Sequence, residues 1–153
     1  MDQLDQTDIA LLKILSNNSS QTIKELAAQV NLSASPVLQR IKKLESNGYI
    51  KKYVAVLDPE KFSQGFIVFC NIRLKQHDRT IGHKFVEDIM KIDEVVECYN
   101  VSGDYDFILK VLARDMKHYQ EFVFNKLGSV ESIGSTHSTF VMAEIKNVHN
   151  IML

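Results

Sequence analysis

The feature that most constrains this chain is a helix that must bury one side and keep the other polar and basic. It lies within Ser33-Ala34-Ser35-Pro36-Val37-Leu38-Gln39-Arg40-Ile41-Lys42-Lys43-Leu44-Glu45. At about 100° per residue, Val37, Ile41 and Leu44 share one narrow stripe with Leu38 beside it. Ser35, Pro36, Gln39 and Lys43 point the other way, flanked by Arg40 and Lys42. Ser33 is placed to cap the helix through its hydroxyl, and Pro36 is tolerated because a first-turn N–H has no partner in the helix. Such a helix, expected over residues 34–46, hides its apolar stripe and offers hydroxyls, an amide and cations. Those groups reach phosphates and base edges from a major groove.

The preceding residues turn one helix into a motif. Thr22-Ile23-Lys24-Glu25 has capping-box spacing, with Thr22 at the N-cap and Glu25 three residues on. That helix carries Leu26, Ala27 and Val30 and stops at Asn31, and Asn31-Leu32 connects to Ser33. Two helices joined this tightly form a helix-turn-helix. The alternative is a helical hairpin with a solvated charged face. Between Ser33 and Tyr53 five cations (Arg40, Lys42, Lys43, Lys51, Lys52) face one anion, Glu45, and this excess favours double-stranded DNA. The candidate DNA-binding residues are Ser33, Ser35, Pro36, Gln39, Arg40, Lys42 and Lys43.

Net charge sharpens the placement. The 153 residues sum to −1, but residues 1–57 hold seven cations and five anions, whereas residues 58–153 hold eleven and fourteen. The basic excess is small, so affinity calls for a focused patch and for more than one copy of it. No apolar run is long enough to cross a membrane, and Met1-Asp2-Gln3-Leu4-Asp5 does not begin a signal peptide, so a cytoplasmic protein is expected. Cys70 and Cys98 read as buried thiols rather than a disulfide or metal pair. The five histidines show no ligand spacing, and neither a metal nor a cofactor is expected.

In chain order, Asp5-Gln6-Thr7-Asp8 caps a first helix to about Asn17. Its apolar residues Ile9, Ala10, Leu11, Leu12, Ile14 and Leu15 fill more than one stripe, to be covered by another subunit or by the chain itself. After Asn47-Gly48, a helix stop, Tyr49 to Leu57 alternates as a strand would. The pattern then changes, which predicts a winged helix-turn-helix domain over 1–58, with strand 49–57 linking it to a second domain over 59–153. From Phe66 the periods read strand, helix, strand, strand, helix, strand. Phe66 to Lys75, Val95 to Val101, Phe107 to Ala113 and Thr139 to Ile145 are the strands, and the helices hold Ile81, Phe85, Ile89 and Met116, Tyr119, Val123, Leu127. This α+β order is the ferredoxin-like β-α-β-β-α-β unit, with helices on one face of its sheet. Ile67, Phe69, Ile108 and Leu112 would make the other face apolar, which calls for burial against a second sheet and leaves residues 60–153 at least dimeric.

The order of parts resembles the Lrp/AsnC family of bacterial and archaeal transcription regulators across residues 4–148. The residues that carry the likeness are Leu4-Asp5-x-x-Asp8, Glu25-Leu26-Ala27, Leu32-Ser33-x-Ser35-Pro36-Val37, Arg40-Ile41-x-x-Leu44-Glu45, Gly48-Tyr49-Ile50 and Glu97-Cys98-Tyr99-x-Val101-Ser102-Gly103-Asp104-Tyr105-Asp106. The last run and Glu144-Ile145-Lys146 look closest to the leucine-responsive branch. The resemblance implies homodimers through the C-terminal sheets, rings or octamers built from those dimers with an octamer of four dimers expected, and a small amino acid held in the C-terminal domain between dimers. Ser19-Ser20 stands where the family often has Gly-Arg, which leaves more of the phosphate contact to Arg40, Lys42 and Lys43.

For the effector the chemistry and the resemblance meet at one turn. A zwitterion needs acceptors for its ammonium and donors for its carboxylate. Asp104 and Asp106 accept, Gly103 exposes backbone amides, and Ser135, Thr136 and Ser138 offer hydroxyls, with Tyr99 and Tyr105 beside them. Without the resemblance, Gly103-Asp104 reads equally as a plain hairpin turn. Apolar surroundings favour an uncharged ligand such as leucine or methionine. Three other readings stay open: an effector-independent DNA-organising protein, a protein-assembly module, and an enzyme using Asp104, Asp106 and His137. The last lacks a nucleophile–base set, a phosphate loop and metal spacing, so no enzyme is expected.

Overall fold

The computed structural model describes residues 4–76 and 78–147, so Met1–Gln3 and the last six residues of the expected second domain lie outside the description. The chain divides into two compact units, one holding the described residues through Val56 together with Lys146 and Asn147, and the other spanning Leu57–Ile145.

The first unit is three helices: α1 (Gln6–Asn17), α2 (Ile23–Gln29) and α3 (Ala34–Ser46). Both expected N-terminal signals form. Asp5 Oδ1 accepts from the Asp8 amide at 2.8 Å, and the Asp5 amide donates to Asp8 Oδ2. Thr22 and Glu25 close a second reciprocal box. Ser33 occupies the N-cap of α3, but its side chain makes no cap bond there, so local sequence located this start without identifying its partner. Asn31, at φ 54°, turns the chain between α2 and α3. Gly48, at φ 77°, ends α3 and lets the Tyr49 amide reach back to the Leu44 carbonyl at 2.9 Å. Leu11, Leu26, Ala27, Val37 and Ile41 form the core. The chain itself buries both Leu11 and Leu12, which absorbs much of the apolar surplus on α1.

The expected strand over 49–57 does not form: these residues belong to no sheet, and Val54, Val56 and Leu57 are exposed. Alternation alone does not make a strand, because its amides need a neighbouring ladder, and no described segment of the chain supplies one here.

The second unit holds β1 (Phe66–Leu74), α4 (Arg79–Ile89), β2 (Val95–Asn100), β3 (Phe107–Ala113), α5 (Met116–Asn125) and β4 (Ile133–Phe140). The antiparallel order is β2-β3-β1-β4, the ferredoxin-like arrangement. Val68, Cys70, Ile72, Leu109, Val111 and Ala113 are fully buried on one face, beneath Phe85 and Ile89 of α4 and Tyr119 and Phe122 of α5. Each Val, Leu, Ile or Phe among them contributes about 1.5–3 kcal/mol by leaving water. Ile67, Phe69, Ile108 and Leu112 alternate with these residues and are half-buried on the opposite face.

The last strand begins earlier than its apolar residues imply. It runs Ile133–Phe140, not Thr139–Ile145, and pairs Ser138 with Cys70 and Thr136 with Ile72. A polar segment is strand here because the edge of β1 holds it; beyond Val141 the chain leaves the sheet, with Met142 and Ile145 fully or almost fully exposed.

Candidate functional site

The outer face of α3 is built by its inner one. Val37, Ile41 and Leu44 are buried, so Ser33, Ser35, Gln39, Lys42 and Lys43 must face outward, and all five are exposed. Pro36 is half-buried at the edge of this face. Tyr53, in the segment that follows α3, donates to Glu45 Oε1 at 2.9 Å and lies against the C-terminal end of the helix.

Arg40 departs from the expected arrangement. Its Nη1 donates to Asp8 Oδ1 at 2.7 Å and to Asp5 Oδ2 at 2.6 Å. Both carboxylates raise the guanidinium's pKa, Asp8 more than Asp5. Asp5 is held below the usual carboxylate range first by the Asp8 amide and then by Arg40. The sequence motif Leu4-Asp5-x-x-Asp8 thus caps α1 and grips α3 with the same two side chains.

In the second unit the expected effector residues divide. Asp106 is fixed at the sheet's end: its amide donates to the Ile72 carbonyl at 2.9 Å, and its Oδ2 accepts from the Leu74 amide at 2.8 Å. Asn100 Nδ2 donates to the Asp106 carbonyl. Gly103 has φ 125°, a conformation that suits glycine, and the Asp104 side chain is exposed beside it. Tyr105 packs near His137, with ring centroids 6.2 Å apart. Tyr99 donates to Glu97 and lies with Ile108 on the face away from the helices.

Strand alternation separates the three hydroxyls. Ser135 pairs with Arg73 on the open face, whereas Thr136 and Ser138 pair with Ile72 and Cys70 on the helix side. Ser138 Oγ lies 2.5 Å from the Tyr119 hydroxyl, which lies 3.1 Å from Cys70 Sγ. Burial raises both the Tyr119 phenol and the Cys70 thiol above their ordinary pKa values. Ser138 therefore serves the core, and among the hydroxyls Ser135 is the one on the side of Arg73.

Arg73 is the residue that sequence reasoning missed. Its Nε and Nη2 donate to the Asp104 carbonyl at 3.0 and 2.6 Å, and its guanidinium lies 5.8 Å from the Tyr105 ring centre. It adds a cation to a turn that otherwise supplies acceptors, so carboxylate and ammonium groups both have partners there. Only the sheet order reveals this, since β1 and the β2–β3 turn meet at long sequence separation.

A separate cleft of about 350 Å³ lies among Asp88, Lys91, Ile92, Asn125, Lys126, Ser129 and Val130. Its lysines are already paired, Lys91 with Asp88 and Lys126 with Glu94. Among the described residues no cluster of three metal-ligating side chains occurs, and no helix is long and apolar enough to cross a membrane.

Known proteins share both halves of this architecture. Residues 4–51 match the winged helix-turn-helix DNA-binding family, and residues 67–151 match the Lrp/AsnC ligand binding domain. The DNA-binding transcriptional activator DecR of Escherichia coli is 34% identical over 143 residues, covering 94% of each chain. The transcriptional regulator AzlB of Bacillus subtilis is 33% identical over 97% of this chain and 94% of its own. A transcriptional regulator from Neisseria meningitidis, solved as an L-Met complex, superposes with a TM-score of 0.94 at 33% identity, covering 98% of this chain and 97% of that one. The chain belongs to the Lrp/AsnC family and is a DNA-binding transcriptional regulator.

Proposed function

We propose that the protein reads double-stranded DNA in the cytoplasm as a homo-oligomer built from dimers, up to an octamer of four dimers. Residues 1–58 serve as the reading domain and residues 59–153 as the assembly and effector domain. One copy of α3 enters each half-site, with Ser33, Ser35, Pro36, Gln39 and Lys43 toward the bases and Lys42 toward phosphate. The observation that carries this reading is the outward polar and cationic face of α3 above a fully buried apolar stripe. The apolar sheet face with Ile67, Phe69, Ile108 and Leu112 supports assembly through a second copy.

The effector is an uncharged amino acid, methionine or leucine, held around Gly103–Asp106 with Arg73 and Ser135. Two facts support it: the Neisseria relative was solved with L-Met, and this turn combines carboxylates with a guanidinium. A ligand that touches two dimers stabilises only the assembly containing both, so binding and assembly are coupled. The protein acts by binding rather than by catalysis.

The test combines fragmented genomic DNA at low salt with calorimetric titration of all twenty amino acids, following mass by light scattering. Retention of a restricted set of fragments, with salt-sensitive affinity, is expected. Retention of none overturns the DNA reading, and neither heat nor mass change with any amino acid overturns the effector.

A further inference from the structure

We infer that Arg40, although it sits on the DNA-reading helix, is a positioning residue locked to Asp5 and Asp8 rather than a phosphate contact. This rests on the DNA-reading assignment of α3 and specifies how that helix is held. Each of the four carboxylate oxygens has a defined task. Asp5 Oδ1 and Asp8 Oδ2 close the α1 capping box, and Asp5 Oδ2 and Asp8 Oδ1 take Arg40. Two carboxylates this close would repel, and the guanidinium between them removes that conflict. The cluster carries one positive and two negative charges. A phosphate drawing Arg40 away would have to displace both bonds and then confront two uncompensated anions. The Asp5 side chain is 50% exposed, so its charge would repel a phosphate drawn to Arg40.

Arg40 also occupies the position from which rotation of α3 can be fixed. Going round the helix at about 100° per residue, Pro36 and Lys43 lie roughly 40° and 60° to one side of Arg40, with Gln39 about 100° away in the same direction. The buried Leu44, Val37 and Ile41 lie about 40–100° to the other side. Arg40 marks the border between the buried and reading faces. Its partners are 32 and 35 residues away on α1, so the tie sets the angle at which Gln39 and Lys43 are presented.

The experiment uses the full chain with two duplexes: one selected by the wild-type protein from a random library, and one of random sequence. Affinity is followed by anisotropy across a salt series. Arg40→Gln is expected to keep the salt slope while the selected-to-random affinity ratio falls at least about tenfold. Lys42→Ala, the phosphate control, should flatten the slope by about 0.9 and keep the ratio. Asp5→Asn combined with Asp8→Asn retains cap acceptors and frees the guanidinium. It should steepen the slope by about 0.9, tighten random-sequence binding and lower the ratio. A flattening of about 0.9 in Arg40→Gln with the ratio intact overturns the inference. If circular dichroism shows that variant unfolded, the double asparagine variant decides: unchanged slope and ratio overturn it. Failure of the wild type to bind either duplex instead defeats the DNA reading on which it rests.

Discussion

Asp106 has a structural task as well as its proposed effector task, and two substitutions separate them. Its Oδ2 accepts from the Leu74 amide at 2.8 Å, and Leu74 is only 8% exposed, so water cannot readily replace that acceptor. Asp106→Ala leaves a nearly buried amide unsatisfied, at a cost of about 2–3 kcal/mol. Asp106→Asn keeps an acceptor but makes a neutral bond of a charge-assisted one, costing about 1 kcal/mol. At about 4–8 °C per kcal/mol for a unit this size, the melting temperature should fall by about 10–20 °C and about 4–8 °C respectively. Differential scanning calorimetry, following the transition of the second unit, reads both. Titration with L-methionine and L-leucine then tests the ligand role at a temperature where both variants are folded. Both should lose the heat of binding, since an asparagine cannot offer an ammonium group the same charge. Equal melting losses would refute the acceptor argument. A normal titration by Asp106→Asn would refute its contact with the effector.

Gln39→Ala should relax preference at one base position by about 1–3 kcal/mol, measured by competition between duplexes differing there. Tyr119→Phe removes the hydroxyl between Cys70 and Ser138 and should cost about 1–2 kcal/mol in thermal unfolding, while amino-acid titration stays unchanged because Ser138 faces the helices. Gly103→Ala meets no nearby atom, so its expected cost of about 1–3 kcal/mol comes from φ 125° alone; an unchanged melting temperature would refute that. In acid, the folded values of Asp5 and Glu25 lie below their ordinary 3.8 and 4.5, so their stabilisation is present above those values and lost as pH falls through the lower folded ones. Helical ellipticity should therefore fall below about pH 4, and Asp5→Asn should weaken that dependence.

What was legible in the sequence was local. Both capping boxes, the three helices, β1 and β3 follow from spacings of two to four residues, and the structure contains them. The misplaced elements depend on distant partners. Residues 49–57 alternate as a strand does, yet no described segment pairs with them. Ser135 to Ser138 is polar, yet β1 holds it in the sheet. The same distinction governs the sites. The exposed face of α3 follows from periodicity, whereas the grip of Asp5 and Asp8 on Arg40 joins residues far apart in the chain. Arg73 enters the proposed effector turn only through strand order. Ser138 left that turn through strand alternation, which a motif read as a string does not contain.

The β1–β4 register sets an order of events during synthesis. Val68 pairs with Phe140, so the edge strand cannot close until the chain through Phe140 has left the ribosome. The three helices end at Ser46 and hold their own core, and helical units rich in local contacts fold within about microseconds to milliseconds. At about 5–20 residues per second, the reading helix is complete on the order of ten seconds before the sheet is. Each nascent chain therefore passes through a stage with a finished α3 and an unfinished sheet.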